Sequence, residues 1–406
     1  MCYLLSNKLF VVQGGNVKII IRNLSVYILL CMVSACASRS VNIDDVQSKQ
    51  TFDIPINKQL FTNYKAIDVD DDIFELSKNQ QETILLLVKQ KQAQGLKLHQ
   101  ALASVLSSKL SNFTYYGATY NAEKTMRMNS GNCMSLAILT TAYAKLLGLK
   151  YSYREVNTIP VFEKRNNLIL SSSHVQTILY DTEFVESPGV FYFQKPSVVI
   201  DYFPNKNNRV GKSFTEPSFV AKYYRNLASN ALVENKLAKA FALAETALEH
   251  DKSNVETINL LSVIHRRSGD IQGAENIYQT GLKIDQSNLE LLSNYIVLLR
   301  NQGRVEEAQD YQQKLDKLDD PNPYHWLEQA YLAQKEQKHD KAIRYYRKAL
   351  INAPYLNQAY LGLYQIYRER GRISKAKDML NKALEWTYED NERKQYKYKL
   401  YSLAQL

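Results

Sequence analysis

Alanine returns every 34 residues through the C-terminal half of this chain, at Ala240, Ala274, Ala308, Ala342 and Ala376. Five residues before each stand Asn235, Gly269, Gly303, Gln337 and Gly371. Sixteen before stand Tyr224, Ile258, Leu292, Trp326 and Tyr360, and seven after stand Ala247, Gly281, Leu315, Ala349 and Ala383. A fixed period of this length means one supersecondary unit repeated, each unit burying its apolar face on the next. The alanine marks where the two helices of a hairpin come close. The Gly/Asn position is the turn between them, where a positive φ is needed. The large residue fills the groove between neighbouring helices. Five registers in phase predict an all-α solenoid over 218–390, and residues 391–406 read as a last helix that caps the stack.

This period and these positions resemble the tetratricopeptide repeat (TPR). In that family the first helix of each hairpin lines a concave groove that holds extended polypeptides, with repeat positions two, five, nine and twelve facing it. Counting Pro323 as position one, these are Tyr324, Leu327, Tyr331 and Gln334 in the fourth repeat. Counting from Asn357, they are Gln358, Leu361, Gln365 and Arg368 in the fifth, with Leu327 and Leu361 read equally well as partly buried between repeats. The implied partner is a protein or peptide held by side-chain amides and aromatics rather than by a row of cations. Pro354, five after Ala349, sits at the usual repeat-ending position.

Upstream the pattern differs. Residues 79–110 carry two helical apolar stripes, Ile84, Leu85, Leu87 and Val88, then Leu98, Leu102, Val105, Leu106 and Leu110, broken by Gly95. A turn follows Phe113–Tyr116, and a helix runs from Cys133 to Gly148. Strands follow over Lys150–Val156, His174–Tyr180 and Ser197–Phe203. Helices and then antiparallel strands make an α+β domain over 79–217. Cys133 opens its helix after Asn129-Ser130-Gly131-Asn132. A thiol there meets the positive end of the helix dipole, which favours the nucleophilic thiolate. His174 and Asp201 lie downstream on strands.

Gly131-Asn132-Cys133 at a helix start, Ser173-His174-Val175 on a strand and Val199-Ile200-Asp201 on the next resemble the transglutaminase-like superfamily, a papain-like group. The run Ser130–Ser135 resembles such domains in bacterial lipoproteins that also carry TPR repeats. The resemblance covers about residues 80–215 and then the repeats. It implies an α+β transglutaminase-like domain followed by the TPR solenoid. It further implies Cys133 as nucleophile, His174 as acid and base, and Asp201 as the group that orients His174. The activity implied is a cysteine hydrolase or acyltransferase acting on a carboxamide, without cofactor or metal. The Cys133 amide would face the oxyanion, with Tyr115, Tyr116 or an amide near Asn132 as second donor. Asp181 and Glu183 are rival orienting acids. Gln176 stands where many members carry an aromatic residue. If the domain is silent, the chain is a TPR scaffold for cell-envelope assembly.

The other cysteines are Cys2, Cys31 and Cys36. The apolar run Leu24–Ala35, with Lys18 and Arg22 before it, reads as a signal peptide over 1–35, too short to span a membrane. Its end, Val33-Ser34-Ala35-Cys36, resembles a bacterial lipobox, so Cys36 is the expected lipidation site. Ala37 after it implies an outer-membrane protein facing the periplasm, tethered by 36–78. A compact leader would start near Val17. Cys133 is then the one thiol left free. Of the four acids Asp68, Asp70, Asp71 and Asp72, none has the Gly of a calcium loop. The net charge of +10 is spread along the chain, and the C-terminal end is basic, with 16 basic and 8 acidic residues over 335–406. Acids interrupt it throughout, and no motif points to nucleic acid.

Overall fold

A computed structural model of the chain describes residues 53–61, 72–115, 117–165, 168–187, 190, 192, 195–202, 209–318, 320–387 and 390–404. The leader, Cys36, Tyr116 and most of the acid cluster lie outside these residues. A 3-10 turn (Lys58–Phe61) precedes α1 (Lys78–Ala93), α2 (Leu98–Leu110), β1 (Thr114–Tyr115), α3 (Ala122–Met128), β2 (Ser130–Gly131) and α4 (Cys133–Leu146). Ser77 and Gln80 form a reciprocal cap at the start of α1. Gly95, at φ +87°, separates α1 from α2. Helix α4 is apolar on every side, and every residue from Met134 to Ala144 is buried. A helix of that composition belongs in the middle of a domain. It packs against the sheet at β4 (Leu168–Tyr180).

The sheet is antiparallel, in the order β5 (Ser197–Asp201), β4, β3 (Tyr151–Arg165), β6 (Arg209–Phe214). Three features differ from the sequence expectation. Helix α3 occupies part of the stretch expected as a turn, started by the Asn121 side chain, which accepts the Lys124 amide. Strands β3 and β4 form a hairpin longer than their apolar cores, with a bulge between Val156 and Val161. Strand β6 has no alternating apolar pattern, and its pairing to β3 is what makes it a strand.

Five helical hairpins follow: α5 (Glu216–Val233) with α6 (Leu237–His250), α7 (Val255–Arg267) with α8 (Ile271–Ile284), α9 (Leu289–Asn301) with α10 (Val305–Asp316), α11 (Pro323–Lys335) with α12 (His339–Asn352), and α13 (Asn357–Glu369) with α14 (Ile373–Glu385). Helix α15 (Asp390–Ala404) packs on α14. The five phased alanines are all buried in the second helices, and the five large residues are buried in the first. The turn positions Asn235, Gly269, Gly303, Gln337 and Gly371 all have positive φ. Asn254, Asn288 and Asn322 also recur at 34 residues, each capping the next helix through its side chain.

The sheet and the first hairpin are packed together. Phe219 of α5 stacks on Tyr153 of β3 at 4.2 Å between ring centroids. The Lys222 ammonium, buried on α5, meets Glu155 of β3 at 2.8 Å and Glu256 of α7 at 3.8 Å. Burial holds its pKa below the usual lysine value even so. Phe61 stacks on Phe241 at 4.2 Å, and Lys58 pairs with Glu245. The buried apolar side chains form one cluster that runs from Ile54 to Leu315, a second that starts at Trp326, and a small third of Tyr360, Ala383 and Tyr396 beside the second. The seam falls between α10 and α11 and is crossed by Arg300 and Glu328 at 4.0 Å.

Candidate functional site

Cys133 is the first residue of α4 and is half-buried. Its loop is held from three sides. Strands β1 and β2 pair in parallel, Tyr115 opposite Gly131. The Asn132 side chain accepts the Ser135 amide at 3.0 Å and donates to Thr119 Oγ1 at 2.7 Å. Ser135 Oγ accepts the Tyr120 amide at 2.8 Å. Gly131 lies at φ +147°, and a Cβ there would sit 2.7 Å from the Ser135 Cβ. Glycine is therefore required by both backbone and space.

His174 Nε2 and Asp201 Oδ1 lie 2.6 Å apart. An ionised carboxylate only accepts, so Nε2 carries the proton. The Cys133 thiol is a second hydrogen-bond partner of His174. Burial disfavours the imidazolium, but the hydrogen bonds to Asp201 and Cys133 and the pull of both outweigh it. The ring pKa is pushed up to about 9. The structure thus brings Cys133, His174 and Asp201 into one contact chain. Asp181 lies elsewhere, paired to Lys97 at 2.6 Å, and Glu183 is exposed beside it. Gln176 was not expected to take part, yet its Nε2 donates to Asp201 Oδ2 at 2.6 Å, and Arg154 Nε donates to Gln176 Oε1 at 2.7 Å. The spacing His174-x-Gln176 was the available signal, since alternate residues of a strand share a face.

Two of the expected oxyanion donors are committed elsewhere. Tyr115 donates its hydroxyl to the Tyr202 carbonyl at 2.6 Å, and the Asn132 amide bonds the Ala118 carbonyl at 3.1 Å. Burial raises the Tyr115 phenol, with Cys133 and Asp201 adding to the shift, which places that side chain beside the site. The first-turn amides of Cys133 and Met134 make no hydrogen bond among the described residues. They are the donors this site has to offer.

The raised His174 pKa has a consequence for stability. A group whose folded pKa exceeds its unfolded value of ~6.5 stabilises fully below that pH and loses its contribution as pH rises through the folded value. The contribution here is on the order of 3 kcal/mol at pH 6, gone by about pH 10. We expect the unfolding free energies of the wild type and His174→Gln to converge across that window in urea titrations. A gap that stays constant from pH 6 to pH 10 would refute the assignment.

In the fourth and fifth repeats the groove residues are not equivalent. Tyr331, Gln358, Gln365 and Arg368 are exposed, and Tyr324, Gln334 and Leu361 are half-buried. Of the two readings of Leu327, burial is what the structure has: it is 7% exposed and belongs to the core between helices, because an apolar side chain one turn from Tyr324 packs inward. Gln334 accepts from the Tyr346 hydroxyl at 2.6 Å and donates to Gln365 at 3.2 Å, so one amide ladder joins the two repeats. The Arg368 guanidinium lies 5.7 Å from the Tyr364 ring centre.

Residues 326–353 match the family model of the tetratricopeptide repeat. The C-terminal stack of five hairpins is a helical TPR-like solenoid, with the matched repeat in its fourth hairpin. No curated protein matches the chain. Among solved structures, PilF of Pseudomonas aeruginosa is similar at 18% identity over 47% of this chain and 87% of that one, with a TM-score of 0.38. YrrB, described as a TPR protein with an unusual peptide-binding site, matches at 20% identity over 44% and 92%, with a TM-score of 0.30. PilW, described as a widely conserved type IV pilus biogenesis factor, matches at 19% identity over 46% and 86%, with a TM-score of 0.35.

Proposed function

We propose that this protein is a polypeptide-binding scaffold whose α+β region carries a cysteine acyl-transfer site. The scaffold half rests on the repeats, since TPR stacks commonly bind peptides or proteins. The catalytic half rests on one observation, the contact chain of Cys133, His174 and Asp201. The domain is read as transglutaminase-like, a hydrolase or acyltransferase. The Cys133 thiolate adds to a carboxamide carbon, and the first-turn amides meet the oxyanion. The C–N bond then breaks, and His174 gives its proton to the departing amine. Water or a second amine, deprotonated by His174, attacks the thioester. The C–S bond breaks, and an acid or a new amide leaves. Asp201 holds the ring tautomer throughout. We further propose lipidation at Cys36 and an outer-membrane, periplasm-facing location, supported by the leader and its Val33–Cys36 ending.

A second reading, a catalytically silent scaffold for cell-envelope assembly, is favoured by the family match lying wholly inside the repeats. One experiment separates the two. The full chain in detergent is challenged with envelope extract, and capture, amine release and Cys133 alkylation by iodoacetamide are followed together. Replacing Tyr324, Tyr331 and Arg368 together with alanine should weaken capture about tenfold and leave the alkylation rate unchanged. Cys133→Ala should capture normally and release no amine. If captured protein is never turned over by the wild type, and Cys133 reacts only after denaturation, the silent scaffold is the right reading. Capture untouched by the triple change would exclude the groove as the binding surface.

A further inference from the structure

Gln176 lies directly opposite Arg154 of β3 on one side and Asp201 of β5 on the other. The three side chains make one row across three strands, at 2.7 and 2.6 Å. The polarity of that row is forced. A guanidinium only donates and a carboxylate only accepts, so the amide turns its oxygen to Arg154 and its nitrogen to Asp201. Gln176 is 7% exposed, so water competes little for its amide. One carboxylate oxygen thus belongs to Gln176 and the other to His174. An arginine set directly on Asp201 would offset the negative charge that His174 needs. A neutral amide between them transmits alignment and leaves the charge in place.

We propose that Gln176, itself oriented by Arg154, is the positioning residue of this site: it fixes the Asp201 carboxylate so that Oδ1 faces His174, and thereby sets how firmly the imidazolium is held. The proposal rests on the reading that Cys133, His174 and Asp201 act as a unit. Among the described residues, the charged and titratable groups that act on His174 are Asp201 from β5 and Cys133 from α4; Tyr115 of β1 and Tyr202 after β5 lie near those two, and Arg154 of β3 stands one amide beyond Asp201.

The test follows the His174 ring signal against pH in the full chain labelled with 13C-histidine, assigned by its loss in His174→Gln. Gln176→Met keeps length and burial and removes both hydrogen bonds. The His174 midpoint should then fall by about one pH unit, toward ~6.5. Arg154→Met should move it the same way by less. In an Asp201→Asn background Gln176→Met should add nothing, because it acts through that carboxylate. An unchanged midpoint in folded Gln176→Met overturns the proposal, as does an equal fall in both backgrounds. Should Gln176→Met not fold, Arg154→Met decides: an unmoved midpoint there also overturns it. The two readings fail separately. If the wild type never turns over an amide but the midpoint still tracks Gln176, catalysis is lost and the positioning role stands. If turnover is intact and the midpoint does not move, only the positioning role falls.

Discussion

His174→Ala will slow iodoacetamide attack on Cys133 at pH 7.5 by up to about tenfold, because the thiolate is the attacking form and a free thiol is only about a tenth ionised at that pH. The native contact chain holds a protonated imidazole against the sulfur, and Asp201 against the imidazole. Alanine leaves the thiol with the helix start alone. Asp201→Asn should cost less, about threefold, because an amide still fills the space but does not hold imidazolium or its tautomer as well. Asp181→Asn, whose carboxylate is tied to Lys97, should change nothing. Amine release should follow the same order, with Cys133→Ala inactive. Equal alkylation of wild type and His174→Ala would remove His174 from the chemistry. A dead Asp181→Asn beside an active Asp201→Asn would mean that the wrong acid has been assigned.

Gly131→Ala should cost about 3 kcal/mol or more and abolish rapid alkylation at the same time. The φ of +147° is strained for any residue with a Cβ, and that Cβ would meet the Ser135 Cβ at 2.7 Å and Oγ at 2.8 Å. Ser135 cannot yield cheaply, since its hydroxyl receives the Tyr120 amide and its own amide is capped by Asn132. The loop must move, and Cys133 is two residues on. Adding Ser135→Gly should relieve the contact but not the backbone strain, so stability should return only in part. Differential scanning of the single and double variants checks this. Full recovery would show that φ carries no cost.

The stack was legible because small residues and turn residues are tied to geometry that recurs every 34 positions. Cys133, His174 and Asp201 could be picked out in order, since a helix start and two strand centres carry clear local patterns. The row through Gln176 could not. It depends on which residues face each other across three strands, and the bulge between Val156 and Val161 shows that register is not a matter of counting. Helix α3 was missed because its seven residues are short and mostly polar, and their start depends on the Asn121 cap. Leu327 fits both groove and core in the sequence because a repeat template assigns a direction by position, whereas the side chain goes where apolar area is buried.

The interruption of the core between Leu315 and Trp326 divides compliance along the chain. Burial resists bending within each half, while at α10–α11 a polar crossing of Arg300 and Glu328 is the softer joint. Load placed on the amide ladder of Gln334 and Gln365 is therefore borne inside the last two hairpins before it reaches the sheet. A force applied at the far end would turn this joint before it disturbed the alignment of Cys133 with His174.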